Sequence, residues 1–177
     1  MAPERLLTER LVLRRPVAGD AAAVFARYAA DPEVTRFLSW ATHRSIDDTK
    51  AFVAFSDDEW QRHGVGPYLA FSRETGTLVG GTGLARETPY RASTGYVLAR
   101  DAWGQGLALE ALHAMVELAP SLGFRRLYAV CHPDHTRSSR VLIKGGFVLE
   151  CTLQCYAEFP NLRPGEPWDV LCYLRLV

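Results

Sequence analysis

The sequence has no excess of charge of either sign: twenty Lys and Arg balance twenty Asp and Glu over 177 residues. Holding nucleic acid through its phosphates needs a basic excess, at least on one face, so the balance removes the simplest argument for a nucleic-acid partner. The Arg14-Arg15 pair is a local exception and reads as a solvated strand end. No apolar run approaches the roughly 20 residues needed to cross a bilayer. No signal-like apolar stretch can be drawn through Met1 to Arg15, which carries Glu4, Arg5, Glu9 and Arg10. The expectation is a soluble cytoplasmic protein without a membrane partner. Cysteine is scarce, and Cys131, Cys151, Cys155 and Cys172 fit no common zinc or redox spacing. They are expected to be small buried hydrophobes in a reducing compartment. Repeats, low-complexity tracts and linkers are missing as well, so residues 1–177 are expected to form a single domain. What the chain does have is apolar material: 48% of its residues are hydrophobic, enough for a core that needs no staples.

The pattern along the chain alternates between strand and helix. Leu11–Arg15 reads as a strand. Asp20 stands as a possible cap before an alanine-rich helix through Ala30, which Asp31-Pro32 should stop. Ser45 opens a second helix to about Arg62, with Asp47 and Asp48 in the first turn, where the dipole favours acids. Tyr68–Ser72, Thr77–Leu84 and Thr94–Arg100 are short strands at hairpin spacing, with Glu74-Thr75-Gly76 as the first turn, and favour an antiparallel meander. Leu107 to about Leu122 is a long helix, apolar on most faces, that should lie against the sheet and end at Gly123. Arg126–Cys131 is a strand, Arg137–Lys144 a short helix stopped by Gly145-Gly146, and Phe147–Tyr156 and Asp169–Leu176 are closing strands around a proline-rich loop. The order is strand, two helices, three-strand meander, helix, strand, helix, two strands: an α/β chain with a mixed sheet.

The informative stretch is Trp103-Gly104-Gln105-Gly106-Leu107-Ala108, between a strand and the long helix. Small residues let backbone N–H groups approach a ligand, and the first amides of a helix lack internal partners, so the junction can hold an anion such as a pyrophosphate. Taken alone, Gly-x-Gly is equally a tight turn. A dinucleotide fingerprint would need a third glycine where Leu109 stands, and no strand of a Rossmann unit opens the chain. That disfavours a nucleotide-binding module. Cys131, His132 and His135 invite a zinc site, but no fourth ligand stands at suitable spacing, and no metal is expected.

The chain as a whole resembles the GNAT superfamily of acetyltransferases, in its ribosomal-protein N-acetyltransferase-like (RimJ/RimL-like) branch. The resemblance is carried by Thr8-Glu9-Arg10-Leu11-Val12-Leu13-Arg14, by Gly95-Tyr96-Val97-Leu98, by Trp103 through Ala108 with Glu110-Ala111, and by Ser138, Arg140-Val141-Leu142, Lys144 and Gly146-Phe147. It implies a GNAT-like acyl-CoA N-acyltransferase fold with acetyl-CoA as cosubstrate. Trp103, Gly104, Gln105, Gly106, Leu107 and Ala108 would form the pyrophosphate loop. The Leu98 backbone would pair with the pantetheine arm and polarise the thioester carbonyl, Ser138 would sit near the coenzyme sulfur, and His135 occupies the place where the family usually has Asn. Trp103 replaces the usual Arg or Gln at the loop start. Ser93 and Thr94 stand where many relatives carry an acid, which leaves the general base unassigned. Relatives often dimerise, which suggests a homodimer.

The reaction implied is attack of a neutral amine on a thioester within a ternary complex, and it needs orientation, an oxyanion donor and proton handling. Leu98 N–H is the candidate donor and Ser138 a hydroxyl for the departing sulfur. His135 and Ser138 share a helix face with Leu142. An α-amine with pKa about 7.8 is about a quarter neutral at pH 7.4, against ~0.1% for a lysine, so the missing acid favours an α-amine or another weakly basic amine; the acceptor is expected to be a protein N-terminus or a small amine such as an amino acid, polyamine or antibiotic. His132, His135, Glu87 and Glu158 are the candidate bases, and Trp40, Trp60 and Tyr68 candidate walls of the acceptor cleft. A cysteine nucleophile is the rival mechanism, and an acetyl-CoA-binding sensor or scaffold without catalysis the rival function.

Overall fold

Eight strands form one sheet in the order β1-β2-β3-β4-β5-β6-β8-β7, in a computed structural model that describes residues 1–177. β1 (Arg5–Leu7), β2 (Leu11–Arg14), β3 (Pro67–Ser72), β4 (Leu78–Thr88) and β5 (Arg91–Leu98) form an antiparallel run, each paired with the next. β6 (Arg126–Cys131) lies parallel to β5, and β7 (Val148–Glu158) and β8 (Pro167–Leu176) close the other side. The element order is the expected one with additions. β1 is too short and too mixed in polarity to show a period of two. Asp31-Pro32 ends one helical segment but starts another, α2 (Pro32–Thr35), because the Asp31 carboxylate accepts the Glu33 amide at 2.9 Å and proline suits a first helical turn.

The first helical segment is irregular: a 3₁₀ turn (Ala18–Asp20), α1 (Ala21–Val24) and a wide π turn (Phe25–Ala29). Asp20 does not cap α1. Its carboxylate accepts the Val17 amide at 2.7 Å and a fork from Arg14, so Arg14 and Arg15 are paired groups rather than a bare basic patch; Arg15 reaches Glu4 and Asp57. α3 (Ile46–His63) opens with the Ser45/Asp48 capping box and closes on Gly64 in the left-handed conformation. Thr49, Val53, Ser56 and Trp60 form its buried stripe at helical spacing.

Successive side chains of β3 separate two cores. Tyr68 and Ala70 join the larger one, built on α4 (Leu107–Leu118), where Leu107, Ala111, Leu112 and Met115 are buried. Leu69 faces the opposite side and packs with Val24, Tyr28, Ala29 and Val34. α5 (Thr136–Lys144) lies beside α4 and places Leu142 in the larger core. No helix is long and apolar enough to cross a membrane. The cysteines divide: Cys131 and Cys172 are buried as expected, but Cys151 and Cys155 are exposed, because β7 is the sheet's last strand and has little packed against it.

Candidate active site

β5 and β6 pair over only three residues, Arg91–Ser93 with Arg126–Tyr128, and then part. Beyond Ser93 the two strands leave a wedge in the sheet, and the site is built around it. The Ala99 amide donates to the Val79 carbonyl at 2.9 Å, which makes 79/99 a hydrogen-bonded pair of the β4–β5 ladder. Gly80/Leu98, the next pair along, is then a non-bonded pair whose Leu98 N–H and C=O turn toward the wedge. The carbonyl is taken by the Trp103 indole N–H at 2.9 Å. The Leu98 N–H faces the space that β6 has vacated.

The loop after β5 is pinned from three sides. Gly104 (φ 75°) and Gly106 (φ 79°) hold left-handed conformations that side chains disfavour, and Gly106 caps α4 with no side chain over the helix's first amides. Arg10 Nη1 donates to the Gln105 carbonyl at 2.8 Å. Arg27 and Arg100 pair with Asp101 and Asp31, tying the helical segment around α2 to the end of β5. α4 thus presents free N–H groups beside the wedge, a geometry that binds anions.

Two cavities meet here. The first, of about 360 Å³, is bounded by Leu98, Trp103, Gly104, Ala108, His135 and Ser138, among others, with Arg36 and Arg137 as cations and Glu33 and Asp134 as acids at its wall. Of the expected loop residues, Gln105, Gly106 and Leu107 do not line it. The Gln105 amide is turned back to the Asp101 carbonyl and Leu107 is buried in the core, so these three can reach a ligand only through the backbone. Trp103 is a brace for Leu98 and carries the Arg137 guanidinium 5.2 Å above its ring. The second cavity, of about 390 Å³, lies on the other side of the junction and is mainly apolar. Six residues line both: Phe37, Leu38, Tyr96, Val97, His135 and Ser138.

At that junction Ser138 Oγ lies 3.0 Å from the Tyr96 hydroxyl, so the serine is bonded to a side chain across the site. Burial pushes the Tyr96 phenol above its usual range, and it stays protonated at neutral pH. His135 stacks on Phe37 with ring centroids 4.8 Å apart and 20° between planes. Burial, reinforced by the positive charge of Arg137 and by His132, pushes its imidazole down to about 4, so the ring is neutral near pH 7. The other candidate bases stand outside both cavities. His132 is buried among Phe37, Phe159 and Trp168, with Nδ1 accepting the Asp134 amide. Glu87 pairs with Arg91 and takes the Tyr128 hydroxyl. Trp40 and Tyr68 line the second cavity, whereas Trp60 is buried in the core, its indole donating to the Pro67 carbonyl at 2.9 Å. Cys131 lines the second cavity with its thiol pushed up by burial, close to Ser139.

Comparison with known proteins gives the chain's family. The family model described as "Acetyltransferase (GNAT) domain" matches residues 10–148. The chain belongs to the GNAT acetyltransferase family. The N-acetyltransferase YoaA of Bacillus subtilis (strain 168), itself described as uncharacterized, is 31% identical over 95% of this chain and 94% of its own. The ribosomal-protein-serine acetyltransferase of Escherichia coli (strain K12) is 31% identical over 79% and 77%. A solved structure of RimL, the ribosomal L7/L12 α-N-protein acetyltransferase in complex with coenzyme A, superposes with a TM-score of 0.82 at 23% identity, covering 97% of each chain. As a family member the chain is an acetyl-CoA-dependent N-acetyltransferase, and the cavity that runs from the Trp103–Ala108 loop to the wedge suits its cosubstrate: free helix amides and two arginines for phosphates, an open strand edge for an amide-bearing arm.

Sequence reasoning missed part of the site. Tyr96 was legible in principle, two residues from Leu98 on the same strand face. Phe37 and Leu38 come from an irregular segment with no periodicity to reveal them. Arg137 precedes Ser138 in the first turn of α5, and only its approach to Trp103 gives it a place.

Proposed function

We propose that this acetyltransferase moves acetyl from acetyl-CoA to a primary amine by direct attack in a ternary complex, with the coenzyme in the first cavity and the amine in the second. The observation that carries this is the junction: two cavities of different character share Tyr96, His135 and Ser138. The coenzyme supplies the acetyl group as an activated thioester. The Leu98 N–H, free at the open edge, donates to the carbonyl oxygen as negative charge builds there. The Ser138 hydroxyl, held by Tyr96, donates a hydrogen bond to the departing thiolate, which takes its proton from water. His135 covers the arm through its stack on Phe37 and, as a weak neutral base, passes the amine's proton to water.

The acceptor we assign is a weakly basic amine such as an α-amine. No carboxylate lines the second cavity, so nothing there would draw a proton from a lysine-like ammonium. The Escherichia coli relative is named for acetylating a ribosomal protein, which supports a protein N-terminus as one source. The cysteine route is disfavoured because the buried Cys131 thiol is held protonated. Four unpaired cysteines fit a reducing, cytoplasmic setting, and the free β7 edge fits a homodimer.

Thermal denaturation with acetyl-CoA, CoA or NAD tests the coenzyme half. A ligand at 100 times its dissociation constant adds about 2.7 kcal/mol, so acetyl-CoA should raise Tm and NAD should not. Replacing all four cysteines should leave acceptor-dependent thiol release intact; its loss in a folded variant would overturn direct attack. Acetyl-CoA binding with no thiol release for any amine would instead favour the sensor reading.

A further inference from the structure

The second cavity has a composition that restricts its occupant. Its walls include Tyr28, Phe37, Trp40, Phe52, Tyr128 and Phe159, and no Asp, Glu, Lys or Arg. His135, its only titratable nitrogen, is neutral at pH 7. A polycation placed here would find no counter-ion, and neither would the carboxylate of a free amino acid; burying an unpaired charge is costly. The walls are also fixed. Asn161 Nδ2 donates to the Thr35 and Trp40 carbonyls at 2.7 and 2.8 Å, and its Oδ1 accepts the Thr42 amide at 2.8 Å. This staples the Phe159 loop to the Phe37–Trp40 segment, so the aromatic walls come as a preformed unit.

One polar group stands open. Tyr28 is 3% exposed, lines the cavity, and makes no hydrogen bond to the protein through its hydroxyl, which lies 3.7 Å from the Cβ position that Gly81 leaves empty. Burial, reinforced by the negative charge of Asp20 behind it, raises the phenol far above its usual range, so it is a neutral donor open to an acceptor atom in the cavity.

From these features we infer that the acetyl acceptor is the α-amine of an aromatic or bulky apolar residue whose carboxyl group is blocked as an amide. Blocking removes the one negative charge that the cavity cannot match. It also lowers the amine to the α-amino range of about 7.8, which suits a site without a strong base. The blocked carboxyl's C=O is the group that Tyr28 can bond, and the side chain fills the aromatic walls. A free aminoacyl amide and the first residue of a peptide share this chemistry. The inference rests on the acetyl-transfer reading above.

The test is thiol release from acetyl-CoA with matched amines: phenylalanine amide, alanine amide, phenylalanine, spermidine and the peptide Phe-Ala-Ala amide, with rates compared per neutral amine. Phenylalanine amide should exceed phenylalanine, spermidine and alanine amide in kcat/KM by about tenfold or more. Comparison with the peptide tells the two sources apart. Tyr28→Phe should raise KM for phenylalanine amide about five- to tenfold and leave KM for acetyl-CoA unchanged. Equal or faster turnover of phenylalanine or spermidine overturns the inference, as does acetyl-CoA binding with no turnover of the aromatic amides. Absence of acetyl-CoA binding would overturn the underlying reading instead.

Discussion

The Tyr96 hydroxyl stands 3.0 Å from both the Oγ and the carbonyl oxygen of Ser138, joining β5 to the first turn of α5 at the meeting of the two cavities. The phenol donates to one of these atoms, and the serine hydroxyl is left oriented by the pair. If Ser138 donates a hydrogen bond to the departing thiolate, Tyr96 acts through it. Tyr96→Phe should lower kcat about tenfold, the worth of one hydrogen bond, with little change in KM for acetyl-CoA. Ser138→Ala should cost as much or more, and the double variant no more than Ser138→Ala alone. A double-mutant cycle reads this directly; additive losses would mean that the two residues act separately.

Arg10 and Glu110 set the loop from the far side. The carboxylate accepts Thr8 Oγ1 at 2.5 Å, the Arg10 amide at 2.7 Å and Arg10 Nε at 2.7 Å, while Arg10 Nη1 holds the Gln105 carbonyl. Burial alone would raise the Glu110 carboxyl, but the bonds from Thr8 and Arg10 and the Arg10 charge bring it below its usual range. Its stabilising share is therefore present above the unfolded value and is lost as pH falls through the folded one. Glu110→Ala should destabilise by about 2 kcal/mol and lower Tm by about 4–8 °C, measured by calorimetry at pH 7. Arg10→Ala should act mainly on KM for acetyl-CoA, because it frees the loop, and Arg10→Lys should recover only part because it lacks the fork. Unchanged KM in both variants would show that the loop holds its shape without the arginine.

The contrast between these two networks shows what the sequence could and could not tell. Thr8-Glu9-Arg10 and Glu110-Ala111 stood out as fragments of a family pattern, and the structure supplies the reason they travel together. Strands, long helices and the Gly104/Gly106 loop follow from periodicity and backbone chemistry, which are local. The wedge between β5 and β6 is not local: it arises where parallel pairing stops after Ser93, and nothing in Thr94–Leu98 announces it. Asn161 sits in a proline-rich loop and bonds to backbone around residue 40, a contact between segments more than a hundred residues apart. The walls of the second cavity were therefore mostly hidden, and Trp60, an aromatic at a helical position, turned out to be core.

His135 gives a pH signature with a definite sign. Its folded value of about 4 lies below the unfolded 6.5, so between these the unfolded chain binds more protons and stability falls as pH drops. The His135 share is up to about 3 kcal/mol, and His132 and His43, both lowered chiefly by burial, act in the same direction. His135→Asn should flatten the fall in Tm between pH 7 and pH 5. Activity should behave differently: with His135 already neutral, kcat/KM should rise with the ionisation of the acceptor amine, and the midpoint of that limb should not move in His135→Asn. A midpoint that shifts with the variant, but not with the amine, would make His135 the titrating group.

β7 is the last strand of the sheet and pairs only with β8. Along it Val148, Leu149 and Tyr156 are 63%, 55% and 51% exposed, and Ile143 on the neighbouring α5 is 58% exposed. Soluble proteins seldom leave an apolar edge strand open, because its free N–H and C=O groups template pairing with another chain. Edge glutamates such as Glu150 blunt this little, since Glu150 is neutralised by Arg126. A second copy meeting this edge about a two-fold axis would bury both rows at once. Light scattering at micromolar concentration should therefore give the mass of a dimer, and Leu149→Lys should give a monomer with an unchanged far-UV spectrum. A monomeric parent protein would leave the edge to be explained by something other than self-association.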